Sequence, residues 1–237
     1  MTGLPPSQDW RYSRAQADVL RVCRPSDGSL VGDLAVTHPG DVARRVARAR
    51  SVHEGWASLG ARDRVRRLKA LINAVGKRSR EIEETIVAET GKPRTEAIYE
   101  VTAVLDILRY QVKITPSFFR PRQVSTGWLV WKKALVQREP LGVVAVISPW
   151  NYPFILSAVP SFTALFAGNA VVLKPSEYTP YSGLLVEDLA RDAGLPEDLV
   201  QVIIGGGPTG EALVGAGVDK VFFTGGPWTG RRVMGVA

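Results

Sequence analysis

Residues 140–173 hold no charged side chain, and this stretch constrains the fold more than any other. Its first part, 141–147, is a short apolar run that suits a strand buried on both faces. Ser148-Pro149-Trp150-Asn151-Tyr152-Pro153 breaks the run. Residues 154–166 are apolar and of helix length, Gly168-Asn169 ends them, and 170–173 begins a second buried strand. The pattern reads as strand, crossover helix, parallel strand. A membrane span is the competing reading for so long an apolar stretch. Pro149, Pro153 and Pro160, with Asn151 and Asn169, argue against it. In open parallel sheets ligands collect outside the carboxyl ends of the strands, so the loop at 148–153 is the first place to look for chemistry.

The strand–helix alternation continues. Strands at 170–173, 199–204 and 221–224 are followed by helices at 181–193, 209–214 and from about 229. That order predicts an α/β fold with a doubly wound, Rossmann-like parallel sheet. Before it, 41–59, 61–79, 81–90 and 95–112 carry helical periodicity, the last with Ile98, Val101, Leu105, Leu108 and Val112 on one face. Gly91-Lys92-Pro93 punctuates the last two. Asp41 suits an N-cap or first-turn acid. Residues 1–33 read as an irregular arm with a turn at Pro25-Ser26-Asp27-Gly28. In 118–139, Trp128, Val130, Trp131, Leu135 and Val136 read as an exposed hairpin or edge pair that invites a second subunit. The expected division is 1–117 as arm and helical layer, 118–139 as an oligomerisation hairpin, and 140–237 as the dinucleotide-binding units.

The chain has a formal net charge of +7. Much of the excess lies between Arg44 and Arg80, interleaved with apolar residues at helical spacing. Solvated helix faces explain it, and no nucleic-acid reader motif accompanies it. Cys23 is the single cysteine, so no intrachain disulfide forms. With His38 and His53 the only histidines, no Cys/His metal site is expected. No apolar signal segment opens the chain, and the cytoplasm is the expected compartment.

Special residues follow the strands. Lys174, Ser176 and Glu177 follow the second, and Gly225-Gly226-Pro227-Trp228-Thr229-Gly230 the fourth. A cation, a carboxylate and a glycine-rich turn on one sheet edge suit a nucleotide, with backbone N–H groups on its diphosphate. Gly205-Gly206-Gly207-Pro208-Thr209-Gly210 fits G-x-G-x-x-G, through Gly207 among others. Both a tight strand-to-helix turn and a phosphate contact remain open there. Asp219 lies nearer than the acid that such a fingerprint expects.

Three blocks carry a resemblance: 140–153, ending Pro149-Trp150-Asn151-Tyr152-Pro153; 168–177, ending Lys174-Pro175-Ser176-Glu177; and 221–230. In this order they resemble the aldehyde dehydrogenase superfamily, over about 41–235 and over the first half of a member. The resemblance implies oxidation of a small-molecule aldehyde to an acid with NAD or NADP. It implies a cysteine thiolate that attacks the aldehyde, hydride transfer to the nicotinamide, and a glutamate that activates water. Asn151 matches the asparagine whose amide helps hold the oxyanion. Ile147, Ser148 and Trp150 match positions lining the cofactor groove, and Lys174 and Glu177 those that hold the adenosine ribose. Gly225 to Gly230 matches the turn under the diphosphate. The second position of that turn is usually serine and here is Gly226, and Pro227 offers no N–H. A carboxylate at Glu177 favours NAD over NADP by repelling a 2′-phosphate.

The family's nucleophile and base lie downstream of this turn, and Cys23 matches no motif. The expectation is therefore a cofactor-binding half that lacks the catalytic domain, from a truncated, split or incomplete sequence, forming a homo-oligomer or pairing with a complementing C-terminal half. Alone it is expected to be poorly soluble or to need a partner, because a parallel sheet edge is exposed and half the family's packing surface is absent. The alternative is a non-catalytic dinucleotide-binding or subunit-interaction protein. A hydrolase using Ser148 or Ser176 ranks below both, because no G-x-S-x-G surrounds either serine.

Overall fold

The structure is a computed structural model that describes residues 14–16 and 18–237. The first thirteen residues of the expected arm lie outside the described residues. The arm is not irregular throughout. Strands β1 (Arg14–Gln16), β2 (Val19–Cys23) and β3 (Leu30–Ala35) form an antiparallel sheet. Leu20 and Val22 face the core while Val19 and Arg21 face out, the period of two that a half-buried strand needs. The turn between β2 and β3 lies at Pro25–Gly28 as its sequence suggests, with Gly28 at φ 75°.

Helix α1 (Pro39–Ala57) is capped by the His38 ring, which accepts the Gly40 N–H, and Asp41 sits in its first turn. The segment expected as one helix from 61 to 79 is two, α2 (Ala61–Leu68) and α3 (Ala70–Lys77). The Ile72 N–H bonds back to the Lys69 carbonyl at 3.2 Å, a tighter turn that keeps both Leu68 and Leu71 fully buried. Helix α4 (Ser79–Thr90) ends on Gly91 in the left-handed region at φ 69°. Helix α5 (Arg94–Phe118) runs past the expected end, through Pro116. Its buried stripe is Ala97, Glu100, Val101, Val104, Leu108, Gln111 and Thr115, and Ile98 is exposed. Strands β4 (Arg122–Val124) and β5 (Ala134–Val136) make the expected hairpin, but Trp128, Val130 and Trp131 lie in its exposed connection and not in its strands.

The second half alternates β6 (Val143–Ile147), α6 (Pro153–Phe166), β7 (Ala170–Lys174), α7 (Pro180–Asp192), β8 (Val200–Val202), α8 (Gly207–Val214), β9 (Lys220–Phe223) and α9 (Pro227–Val236). All pairings are parallel, in the order β8-β7-β6-β9. The chain walks outward from β6 to β8, then crosses back to place β9 on the other side of β6. That reversal makes the β6/β9 boundary a topological switch point. Strands β6 and β7 are buried at every residue, as their unbroken apolar runs require. Helices α6 and α7 pack under α2–α5 on one side of the sheet, and α1 packs against α8 and the strands on the other. One continuous core joins these layers, from Leu20 to Val214. Among the described residues no helix is long and apolar enough to cross a membrane.

Candidate functional site

The carboxyl ends of β6, β7 and β9 are tied together by backbone hydrogen bonds. The Ser148 N–H donates to the Lys174 carbonyl at 3.2 Å, and the Thr224 N–H donates to the Ile147 carbonyl at 3.0 Å. The end of β6 therefore sits between the Lys174–Glu177 loop on one side and the Gly225–Gly230 turn on the other.

Side chains from the first block differ in where they point their chemistry. Ile147 is buried in the sheet. Ser148 is also buried, and its hydroxyl pairs with that of Ser157 on α6 at 2.7 Å. Trp150 and Asn151 are exposed on the loop. The Asn151 backbone carbonyl accepts from Lys92 Nζ at 2.8 Å.

Lys174 is turned inward. It is 5% exposed, and its ammonium donates to the carbonyls of Pro175 and Gly205, each at 2.8 Å. Burial holds its pKa below the ordinary lysine range, against the opposing pull of Glu177. The Glu177 carboxylate stands 3.8 Å from that ammonium and keeps about a third of its side chain in solvent. The buried Ser176 hydroxyl accepts the Tyr178 N–H at 3.3 Å.

The G-x-G-x-x-G segment joins this cluster. Gly205, at φ 155°, adopts a backbone that side chains avoid, and a Cβ there would collide with Thr209. A Cβ on Gly206 would stand 3.9 Å from Glu177 Oε1. Gly207, the first residue of α8, is exposed, with open space where its side chain would be. The acid beside this turn is thus Glu177. Asp219 lies at the opposite end of the sheet, where it accepts the Val143 N–H at 2.7 Å and pairs with Arg50 at 2.8 Å.

At the fourth strand, Gly225 packs against the Phe223 ring so closely that a Cβ would collide with it. Gly226 is the N-cap of α9 with extended φ and ψ of −67° and 149°, and nothing stands within 4 Å of its Cβ position. Gly230 lies one turn on, over the same Phe223 ring. Among the described residues no side chain caps α8 or α9. Arg232 of α9 reaches Glu211 of α8 at 3.7 Å, holding the two helices side by side. Among the described residues no group of three His, Cys, Asp or Glu side chains is placed to hold a metal ion.

Sequence reasoning missed three charged residues behind the loops. Glu100 is fully buried on α5, Glu89 is 3% exposed at the end of α4, and Lys92 lies between them. The available signal was a carboxylate within an apolar stripe: Glu100 falls between Ala97 and Val104, and Glu89 follows Ile82 and Ile86 at helical spacing. Glu89 accepts the N–H groups of Tyr181 and Ser182 at 2.7 and 2.8 Å and the Ser182 hydroxyl at 2.6 Å. Burial pushes its pKa up to about 7, although these donors oppose the rise.

Known proteins share both the sequence and this arrangement. The aldehyde dehydrogenase family model matches residues 10–237. The 4,4'-diapolycopene aldehyde oxidase of Methylomonas sp is 46% identical over 213 residues, which cover 89% of this chain and 40% of that protein. The crystal structure of a NAD-dependent benzaldehyde dehydrogenase from Corynebacterium glutamicum superposes with a TM-score of 0.86 at 28% identity, over 97% of this chain and 52% of that one. NADP-dependent glyceraldehyde-3-phosphate dehydrogenase from Bacillus halodurans, complexed with NADP, gives a TM-score of 0.86 at 32% identity, over 93% of this chain and 48% of that one. The chain thus spans about half the length of these relatives, or less. With its parallel sheet and three signature loops, and with the family model matched along nearly its whole length, the chain belongs to the aldehyde dehydrogenase family.

Proposed function

We propose that this chain forms the dinucleotide-binding part of an enzyme that oxidises an aldehyde to a carboxylic acid, with NAD as the preferred cofactor. The observation that carries the reading is the convergence of loop 148–152, the Lys174–Glu177 loop and the Gly225–Gly230 turn on one end of a parallel sheet, at its switch point. The residues present fit a dinucleotide. Gly226 leaves space beside the first turn of α9, whose leading N–H groups have no intrahelical acceptor. The Trp228 and Thr229 N–H groups would face the diphosphate, while Pro227 supplies none. The partly exposed Glu177 carboxylate would accept from the ribose hydroxyls. Lys174 would hold the Glu177 loop against the Gly205 turn from beneath. When bound, the nicotinamide would accept a hydride from the substrate carbon. Asn151, exposed on the β6 loop, would donate its side-chain amide to the substrate oxygen as charge develops there. The nucleophilic thiol and the carboxylate base would come from the family's downstream segment. Hairpin 122–136, with its exposed Trp128, Val130 and Trp131, would pair with another subunit.

Glu177 gives this reading its sharpest test. A carboxylate beside the ribose repels the 2′-phosphate of NADP, so NAD should bind more tightly. Titration calorimetry with both dinucleotides checks it. Glu177→Gln should weaken NAD and narrow the gap to NADP by about 10-fold. Tighter binding of NADP by the wild-type protein would defeat the NAD preference, and binding of neither would defeat the cofactor assignment.

A further inference from the structure

We infer that Lys92 and Glu100 are positioning residues that together fix the loop carrying Asn151. This rests on the proposed role of Asn151 as the oxyanion amide. Lys92 sits in the link between α4 and α5, between a glycine in the left-handed region and Pro93, whose ring fixes φ. Its ammonium makes three contacts. It lies 2.8 Å from Glu100 Oε1, 2.8 Å from the Asn151 backbone oxygen, and 4.2 Å from the centre of the Tyr152 ring. The other Glu100 oxygen accepts the N–H groups of Phe154 and Ile155, at 3.0 and 3.1 Å. One ion pair therefore grips residues on both sides of Pro153.

Burial makes the grip specific. Glu100 is fully buried and the Lys92 side chain is 9% exposed. A carboxylate this far from water needs every partner it has. Its two N–H partners open α6, where the helix dipole also favours a negative charge. The cation is in turn held over Tyr152 and bound to the carbonyl of Asn151. Anchoring that carbonyl fixes the backbone from which the Asn151 amide projects. Neither charge lies at the proposed cofactor turn, so the pair acts on the amide's geometry and not on dinucleotide affinity.

Two measurements test this. The first is hydrogen exchange by mass spectrometry on the protein as it stands, wild type against Lys92→Met. Exchange at 151–156 should speed up by about 10-fold or more, with 170–176 unchanged. Unchanged exchange at 151–156 would overturn the clamp. If Lys92→Met does not fold, Lys92→Gln, which keeps a donor but not the charge, takes its place with the same expectation and the same overturning result. The second is steady-state kinetics on the whole enzyme. Lys92→Met should lower kcat about 10–100-fold, the scale of a small misplacement of a catalytic group, with NAD affinity unchanged. Combined with Asn151→Ala it should cost little more than Asn151→Ala alone. A loss that adds in full to that of Asn151→Ala would overturn the positioning role. A fully active Asn151→Ala would instead overturn the oxyanion reading, and faster exchange in the Lys92 variant would still stand.

Discussion

The helices that follow β6 and β7 begin differently from those that follow β8 and β9. All four open with a proline at the first or second position and none has a side-chain N-cap from its own chain start. At α6 and α7 the helical layer supplies the missing acceptor, Glu100 at the first and Glu89 at the second. At α8 and α9 no described residue does, and both starts are led by glycine and open to solvent at Gly207 and at Gly225 to Trp228. A helix start favours negative charge whatever its source. The protein fills two of these positions with its own buried carboxylates, which locks the helical layer to the sheet. It leaves the other two free, and one of them, the start of α9 after β9, is where the proposed diphosphate would lie.

Removing a filled acceptor should break the comparison with the largest effect. Glu89→Ala strips three donors of their partner in a buried place and leaves a cavity, which should cost about 3–4 kcal/mol in urea unfolding. A loss under about 1 kcal/mol would mean that α7 does not depend on the α4 carboxylate.

The same residue makes a prediction about pH. In the folded protein its pKa is raised from 4.5 to about 7 by burial. The folded state thus holds this proton more tightly than the unfolded chain does. Its contribution to stability is fully present below pH about 4.5 and is lost as the pH rises through about 7. The span corresponds to about 3 kcal/mol. Glu89→Gln does not titrate, so the wild-type stability minus that of Glu89→Gln should fall by about that much between pH 4.5 and pH 8. Groups shared by both proteins cancel in this difference. A flat difference would show that the three donors hold the carboxylate ionised throughout.

These carboxylates also show where sequence reading stopped. The β6 and β7 strands and their crossover were legible because a strand buried on both faces must be apolar at every position, as Val143–Ile147 and Ala170–Lys174 nearly are. The Gly225–Gly230 turn and the loop at Asn151 were legible as motifs. Glu89, Lys92 and Glu100 were not, because periodicity reports which face is buried and not what lies across from it. Glu100 looks like a solvated charge until α6 is placed over it. Lys174 was legible as a cation at a strand end, but its two carbonyl partners below the surface were not, because they come from the following residue and from a distant turn. The β2–β3 hairpin was missed because Val19–Cys23 is too short for its alternation to stand out.

The open starts sharpen the comparison with a smaller effect, and adjacent glycines at α9 should respond in opposite ways. Gly225→Ala drives a methyl into the Phe223 ring at the edge strand β9, so it should cost about 1–3 kcal/mol. Gly226→Ser meets nothing within 4 Å, and its extended backbone suits any residue. Serine is a slightly better N-cap than glycine, so stability should rise by a few tenths of a kcal/mol at most. The added hydroxyl stands at the mouth of the helix start, where the Pro227 ring has removed one donor. NAD should therefore bind more tightly to Gly226→Ser by a few-fold, the worth of one solvent-exposed hydrogen bond. If affinity falls instead, the space beside Gly226 is already needed by the dinucleotide backbone, and the glycine is there for close approach and not merely for lack of a side chain.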